Sequence, residues 1–158
     1  MGLFMTLEDA SAEEAALLRE GVLPEAAPGE AAEGRLRVFD LHCDTLDRLA
    51  FHGDPSVPGG FAAHDARIPA ARMSSLADND AHVSLERTAG YAWCQCFAAF
   101  VPDEARGDAA WALFERVRRV WERELERCSD KLARARSMAD VDAALAAGKT
   151  AGLFTVEG

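Results

Sequence analysis

The sequence predicts an α/β protein built on a parallel sheet, and three features predict it. Three largely apolar runs have the length and composition of buried strands, at residues 36–41, 91–101 and 149–157. Helical patterns at 107–132 and 138–147 separate the second run from the third. Strands that alternate with helices in this order are typical of parallel α/β folds.

The charge balance argues against two classes of partner. The 158 residues include 17 basic and 27 acidic side chains, which give a formal net charge of −10 at pH 7. A chain this acidic is not expected to bind nucleic acid or an anionic membrane surface, although its charge does not oppose cation binding. No apolar stretch approaches transmembrane length and the first residues lack the features of a signal peptide, so a cytoplasmic protein is expected.

The first 34 residues are predicted to form an extension ahead of the main domain at 35–158. Residues 7–20 have the pattern of an acidic, alanine-rich helix, with Ser11 as a candidate cap. Residues 24–34 are low in sequence complexity and rich in Pro, Gly, Ala and Glu, which predicts a linker.

The first strand of the main domain ends in two side chains that can bind metal. His42 and Asp44 follow the apolar run at 36–41, one residue apart. In a strand, such residues point to the same side, and an imidazole with a carboxylate suits a divalent ion such as zinc. The alternative is a strand end that carries two polar residues without a metal.

Four cysteines are present, Cys43, Cys94, Cys96 and Cys128, and none forms a CxxC pair. This pattern predicts buried free thiols in a reducing compartment. Cys43, between the two candidate ligands, is expected to point to the opposite face of the strand and to pack there.

Two further His/Asp pairs lie in segments without a strand. A short helix is predicted at 45–51, followed by a loop-like segment at 53–80. His52-Gly53-Asp54 precedes a proline in this segment and is expected to be a solvated loop. His64-Asp65 lies deeper in the same segment, where no geometry brings the two side chains together.

The second strand, 91–101, is almost continuously apolar, as expected of a strand buried on both faces. Gln95 is its one polar member. A buried amide needs hydrogen-bond partners, and a structural bond to a neighbouring loop is expected.

The long helix at 107–132 has an apolar stripe opposite a charged face. The stripe consists of Ala110, Phe114, Val117, Trp121, Leu125, Cys128 and Leu132. The charged residues expected in water are Arg116, Arg118, Arg119, Glu122, Arg123, Glu124, Glu126 and Arg127. Trp111 and Trp121 are predicted to be core residues.

The shorter helix at 138–147 has signals at both ends. Ser137 and Asp140 have the spacing of a capping box, and Gly148 stands where a helix is expected to stop. The strand that follows ends at Glu157. Because the carboxyl ends of parallel strands share one edge, His42, Asp44 and Glu157 are predicted to meet there in a metal site.

Three separated segments resemble the membrane (renal) dipeptidase family of metallopeptidases. They are FDLHCDTL at 39–46, HVSLERTAGYAWCQCFA at 82–98 and GKTAGLFTVEG at 148–158. Their order and the intervening helices also agree with the family, so the resemblance covers about residues 36–158.

The resemblance implies a (β/α)8 TIM-type barrel that hydrolyses dipeptides, some of them with a D-residue at the carboxyl side. It implies that His42 and Asp44 bind one zinc ion and that Glu157 bridges this ion to a second. It further implies that a hydroxide held between two metals would supply the nucleophile, while the metals would polarise the peptide carbonyl.

The family's later elements have no counterpart in the 158 residues. They are a substrate-contacting histidine, two histidines on the second metal and a late aspartate. The chain is therefore expected to be the amino-terminal part of a dipeptidase, with about three of the eight barrel strands, because a whole barrel takes roughly 250 residues. No complete catalytic set is expected, so this chain alone is predicted to be inactive, to fold weakly and to self-associate.

Two alternatives stay open at the level of the sequence. The chain can be a non-catalytic metal-binding or interaction module derived from such an enzyme and completed by a partner. A different amidohydrolase-like barrel also has a His-x-Asp strand end, but the Gln95 strand and the Val-Glu-Gly ending favour the dipeptidase family.

Overall fold

The computed structural model describes residues 34–57 and 68–157. The predicted helix at 7–20, the linker up to residue 33 and the His64-Asp65 pair lie outside these ranges. The strands are β1 (Arg37–Cys43), β2 (Ala92–Phe100), β3 (Leu132–Arg134) and β4 (Thr150–Glu157). The α-helices are α1 (Thr45–Phe51), α2 (Leu85–Thr88), α3 (Asp108–Arg127) and α4 (Met138–Ala146), and a 3-10 turn spans Ala70–Met73.

The four strands form one parallel sheet in the order β1-β2-β4-β3. The predicted α/β class with a parallel sheet is therefore confirmed. Phe39, Cys94 and Ala151 are in register across β1, β2 and β4, which places their side chains on one face. The central strand, β2, is buried along nearly its whole length, as its apolar sequence predicts.

Strand β3 was not predicted, because Leu132, its first residue, was assigned to the end of the long helix and the next two residues to no element. The helix ends at Arg127, and Leu132 lies in β3, where it pairs with Thr150 of β4. The amides of Lys131 and Leu132 both donate to the carbonyl of Cys128, at 2.8 Å each, in the turn between helix and strand. Leu132 follows Cys128 at helical spacing, but it belongs to strand β3.

Helices cover both faces of the sheet. On one face, Phe97 of β2 packs with Val117 and Trp121 of α3 and with Phe51 of α1 in the larger buried cluster. On the other face, a smaller cluster joins α4 to the first residues of β2 and β4. Its buried members are Ala92, Cys94, Ala135, Val141, Ala144, Leu145 and Ala151. This arrangement leaves the carboxyl ends of β1 and β4 accessible on the α4 face.

The two tryptophans of α3 have different environments. Trp121 is fully buried, as predicted, and it lies so close to β4 that a Cβ added to Gly152 would be 2.7 Å from its Cη2 atom. Trp111 is 63% exposed, so its predicted place in the core is wrong. It lies in the first turn of α3, where its ring lies beside that of the partly buried Phe114, with ring centroids 5.4 Å apart.

Glu124 is fully buried, although the charge pattern predicted a solvated side chain. Its Oε2 atom accepts hydrogen bonds from Ser75 Oγ at 3.0 Å and from the Leu76 amide at 2.9 Å. Its Oε1 atom accepts one from Arg123 Nε at 3.1 Å. Glu124 follows Trp121 by three residues, so it shares the buried face of α3. It anchors the 75–76 segment there.

The predicted ends of α4 are confirmed. Ser137 Oγ accepts a hydrogen bond from the Asp140 amide at 3.2 Å, and the Asp140 carboxylate accepts one from the Arg136 amide at 2.9 Å. Gly148 follows the helix with φ of +72°, a conformation that glycine adopts without steric cost. Its amide donates to the carbonyl of Leu145 at 3.0 Å.

The buried polar and sulfur groups of β2 are accounted for within the sheet. Gln95 accepts a hydrogen bond from Trp93 Nε1 at 2.9 Å and donates to the Cys96 carbonyl at 3.0 Å, so its partners lie in its own strand and not in a loop. All four cysteines are free and buried, as predicted.

Across the described ranges, no helix is long and apolar enough to pass through a membrane.

Candidate metal centre

The end of β1 carries a bulge that aims His42. Asp40 pairs with Gln95 and Cys43 pairs with Phe97, so three steps along β1 correspond to two along β2. Cys43 faces the core with 3% of its surface exposed, which confirms the predicted packing role. His42 precedes Cys43 and is exposed on the other face of the sheet. The His42 amide donates to Asp40 Oδ1 at 3.1 Å, which fixes the bulged backbone.

Asp44 is not part of the strand, in contrast to the predicted two-residue alternation. It is the residue before α1, with φ of −90° and ψ of 14°, and its side chain makes no capping hydrogen bond to the helix. The carboxylate instead approaches the imidazole, with Asp44 Oδ1 3.1 Å from His42 Nε2. The turn into α1, and not strand alternation, brings the two side chains together.

Glu157 joins them from the carboxyl end of β4. Its Cα atom is in register with Phe100 of β2, and its Oε2 atom lies 3.2 Å from His42 Nδ1. One ligand atom from each of His42, Asp44 and Glu157 lies within 4.8 Å of the other two. Among the described residues, these three form the one such group of His, Cys, Asp and Glu side chains. The predicted convergence of the three residues is observed.

The donor set fits a divalent ion of zinc type, with one imidazole nitrogen and two carboxylates. Tetrahedral zinc, with bonds of about 2.0–2.2 Å, holds its ligand atoms about 3.3–3.6 Å apart. Each ring nitrogen of His42 lies beside one of the two carboxylates, so ligation would require a side-chain rotation that directs one ring nitrogen toward the ion. The side chains of His42, Asp44 and Glu157 are 50%, 33% and 44% exposed, which leaves room for that rotation.

A third acidic side chain, Asp47 of α1, lies beneath the centre and was not singled out in the sequence. It is fully buried, its Oδ1 atom accepts the Phe100 amide hydrogen at 3.1 Å, and Oδ2 has no hydrogen-bond partner among the described residues. Burial first, and then the charges of Asp44 and Glu157, raise the pKa of Asp47 to about 8, although the hydrogen bond from the Phe100 amide lowers it. One feature of the sequence could have indicated this buried side chain, namely a carboxylate among the apolar residues of a short helix.

Asp47 is expected to make the metal-free protein less stable as the pH rises from about 4 to about 8. In this window the folded state holds the proton and the unfolded state has lost it, so the free energy of unfolding falls by at most about 1.4 kcal/mol per pH unit. Asp47→Asn removes the titration. We expect its free energy of unfolding, relative to the wild type, to rise by about 3–4 kcal/mol between pH 5 and pH 8 in urea titrations with a chelator. A pH-independent difference would contradict this expectation.

In the His52-Gly53-Asp54 segment, the aspartate contacts an arginine and a serine. Asp54 lies 2.7 Å from Arg116 of α3, and its carboxylate accepts hydrogen bonds from the Ser56 hydroxyl and amide. These hydrogen bonds, first from Ser56 and then from Arg116, lower the pKa of Asp54 to about 2. The predicted solvated loop is therefore tied to α3 through Asp54.

No model of a known protein family matches the sequence, and no curated protein matches it significantly.

Proposed function

We propose that this chain is part of a zinc-dependent dipeptidase and that His42, Asp44 and Glu157 hold metal at the carboxyl ends of β1 and β4. The observation that carries the proposal is the convergence of these side chains, with one ligand atom of each within 4.8 Å of the others. Residues from distant parts of the chain meet at the edge where parallel α/β folds build their sites. The resemblance to membrane dipeptidases adds the substrate class.

Each of the three residues has a distinct part in this proposal. His42 supplies a neutral nitrogen ligand, and Asp44 supplies a carboxylate that balances part of the charge of the ion. Glu157 has two carboxylate oxygens and can therefore contact two ions at once. Bound divalent ions of this kind supply a hydrolytic nucleophile at neutral pH and polarise the carbonyl under attack. The exposed position of the centre leaves room for a dipeptide.

We further propose that the sheet belongs to a (β/α)8 barrel. Strands β1, β2 and β4 are parallel and adjacent in the sheet in that order, and α1 and α3 cover the same face. This is the arrangement of consecutive barrel units, and the three-residue β3 adds a short edge strand. Within the described ranges, the outer edge of β1 has no strand partner, and beyond Gly152 β4 pairs with β2 but has no partner on its other edge. Self-association along these edges stays a prediction.

A non-catalytic metal-binding module is the second candidate. The described residues offer one group of three ligands, which is enough for one ion and too few for two fully coordinated ions. A protein that binds one ion at this edge and cleaves nothing would fit this candidate.

The test is a titration of the purified 158-residue chain with Co2+ and Zn2+, followed by a dipeptide hydrolysis assay. We expect one ion per chain at the candidate centre and no cleavage by this chain alone, since three ligands complete only one metal position. Metal-dependent cleavage would confirm the dipeptidase class and contradict the predicted inactivity. Absence of any metal binding would overturn the proposed function.

A further inference from the structure

We propose that Asp47 is a positioning residue for the candidate metal centre. By accepting the Phe100 amide hydrogen, it holds α1, and with it Asp44, at a fixed distance from Glu157. The inference rests on the proposed function, because the distance in question is that between two proposed metal ligands. Asp47 itself is not proposed to bind metal.

The first step in the argument is the placement of Asp47 between two elements. Asp47 lies in the first turn of α1, three residues after Asp44, and it is fully buried. Its hydrogen-bond partner, the Phe100 amide, belongs to the last residue of β2, 3.1 Å away. A carboxyl group this deeply buried is costly to place, and among the described residues the Phe100 amide is its partner from another element, while Oδ2 has no hydrogen-bond partner. This contact connects the start of α1 to the end of β2.

The second step connects the end of β2 to Glu157. Phe100 is the register partner of Glu157, and the next amide along, that of Val101, donates to the Glu157 carbonyl at 3.1 Å. Two successive amides of this chain segment therefore bind in opposite directions, one to Asp47 on α1 and one to the backbone of Glu157 on β4.

The third step connects Asp47 to Asp44. The Arg48 amide donates to the Asp44 carbonyl at 3.0 Å, so the backbone of Asp44 moves with the first turn of α1. Any shift of this turn relative to β2 changes the separation of the Asp44 and Glu157 carboxylates. Metal sites tolerate shifts of only about 0.2–0.5 Å in ligand position, so the Asp47 contact matters for affinity.

The test compares Co2+ binding by the wild-type chain, Asp47→Asn and Asp47→Ala, with Asp142→Ala as a control on the exposed face of α4. The asparagine keeps an oxygen that accepts the Phe100 amide hydrogen, so wild-type affinity and the wild-type visible Co2+ spectrum are expected. The alanine loses this contact, and we expect affinity to fall about 10-fold or more, with an altered spectrum that reports changed coordination. The control is expected to match the wild type.

Several results would overturn the inference. Wild-type affinity and spectrum in Asp47→Ala would do so, as would an Asp47→Asn variant as weak as the alanine. If Asp47→Ala does not fold, Asp47→Leu, which refills the buried volume, replaces it with the same expected loss and the same overturning result. Failure of the wild-type chain to bind Co2+ removes the proposed function and this inference together, whereas normal binding by the alanine or leucine variant removes the inference alone.

Discussion

Replacing His42 with alanine is expected to lower the affinity of the chain for Zn2+ or Co2+ by about 100-fold or more, since it removes one of three ligands. His42 is the one nitrogen donor of the group, and it lies between the two carboxylates, 3.1 Å from Asp44 and 3.2 Å from Glu157. Without it, two exposed carboxylates remain, and such pairs bind divalent ions weakly in water. Isothermal titration calorimetry, or competition with a chromophoric chelator, measures the change.

The matched control is His82→Ala. His82 is an exposed histidine outside the group, in the segment that precedes α2. We expect its replacement to leave metal affinity unchanged. Glu157→Gln and Asp44→Asn keep the shape of the site and remove one negative charge each, so both are expected to weaken binding. Equal affinity in the wild type and in His42→Ala would show that any bound ion lies elsewhere.

Replacing Glu124 with alanine is expected to lower the free energy of unfolding by about 3–4 kcal/mol. The substitution leaves the Leu76 amide and the Ser75 hydroxyl buried without their acceptor, at about 1–3 kcal/mol for each unpaired group. It also opens a cavity beside Cys128, whose Sγ atom lies 3.9 Å from Oε2 of Glu124. Chemical denaturation followed by circular dichroism measures the loss.

Two further variants distinguish the effect of the lost hydrogen bonds from that of the lost charge and from any effect of a substitution in α3. Glu124→Gln keeps an acceptor oxygen at the same place, so a smaller loss of about 1–2 kcal/mol is expected. Glu126→Ala removes an exposed carboxylate two residues along α3 and is expected to change stability by less than about 0.5 kcal/mol. If Glu124→Ala were as stable as Glu126→Ala, the buried network would not contribute to the fold.

The regular elements were predictable because each carries a long local pattern. The apolar run at 91–101 and the amphipathic stripe of α3 extend over enough residues to indicate both the type of element and its buried face. Strand β3 was not predictable in this way, since three residues carry no period and its structure depends on pairing with β4. Tertiary contacts therefore decided where the long helix ended.

The candidate site was predictable in its members but not in its construction. Polar residues at strand ends indicated His42, Asp44 and Glu157, and the shared edge of a parallel sheet predicted that they meet. The bulge in β1 and the position of Asp44 before α1 left no local signal. Asp47 was missed for a different reason. A carboxylate in a short helix is usually solvated, and only the packing of α1 against β2 shows that it is buried.

The bulge in β1 determines whether the side chain of His42 or that of Cys43 faces the candidate metal centre. If all residues of β1 were kept but paired regularly, without the bulge, His42 would lie opposite Phe97 and point into the core. Cys43 would then lie opposite Ala98 on the accessible face. The centre would then present a soft sulfur in place of an imidazole. A regular register with every residue kept would therefore change which metals this edge prefers, although every ligand in the sequence would survive.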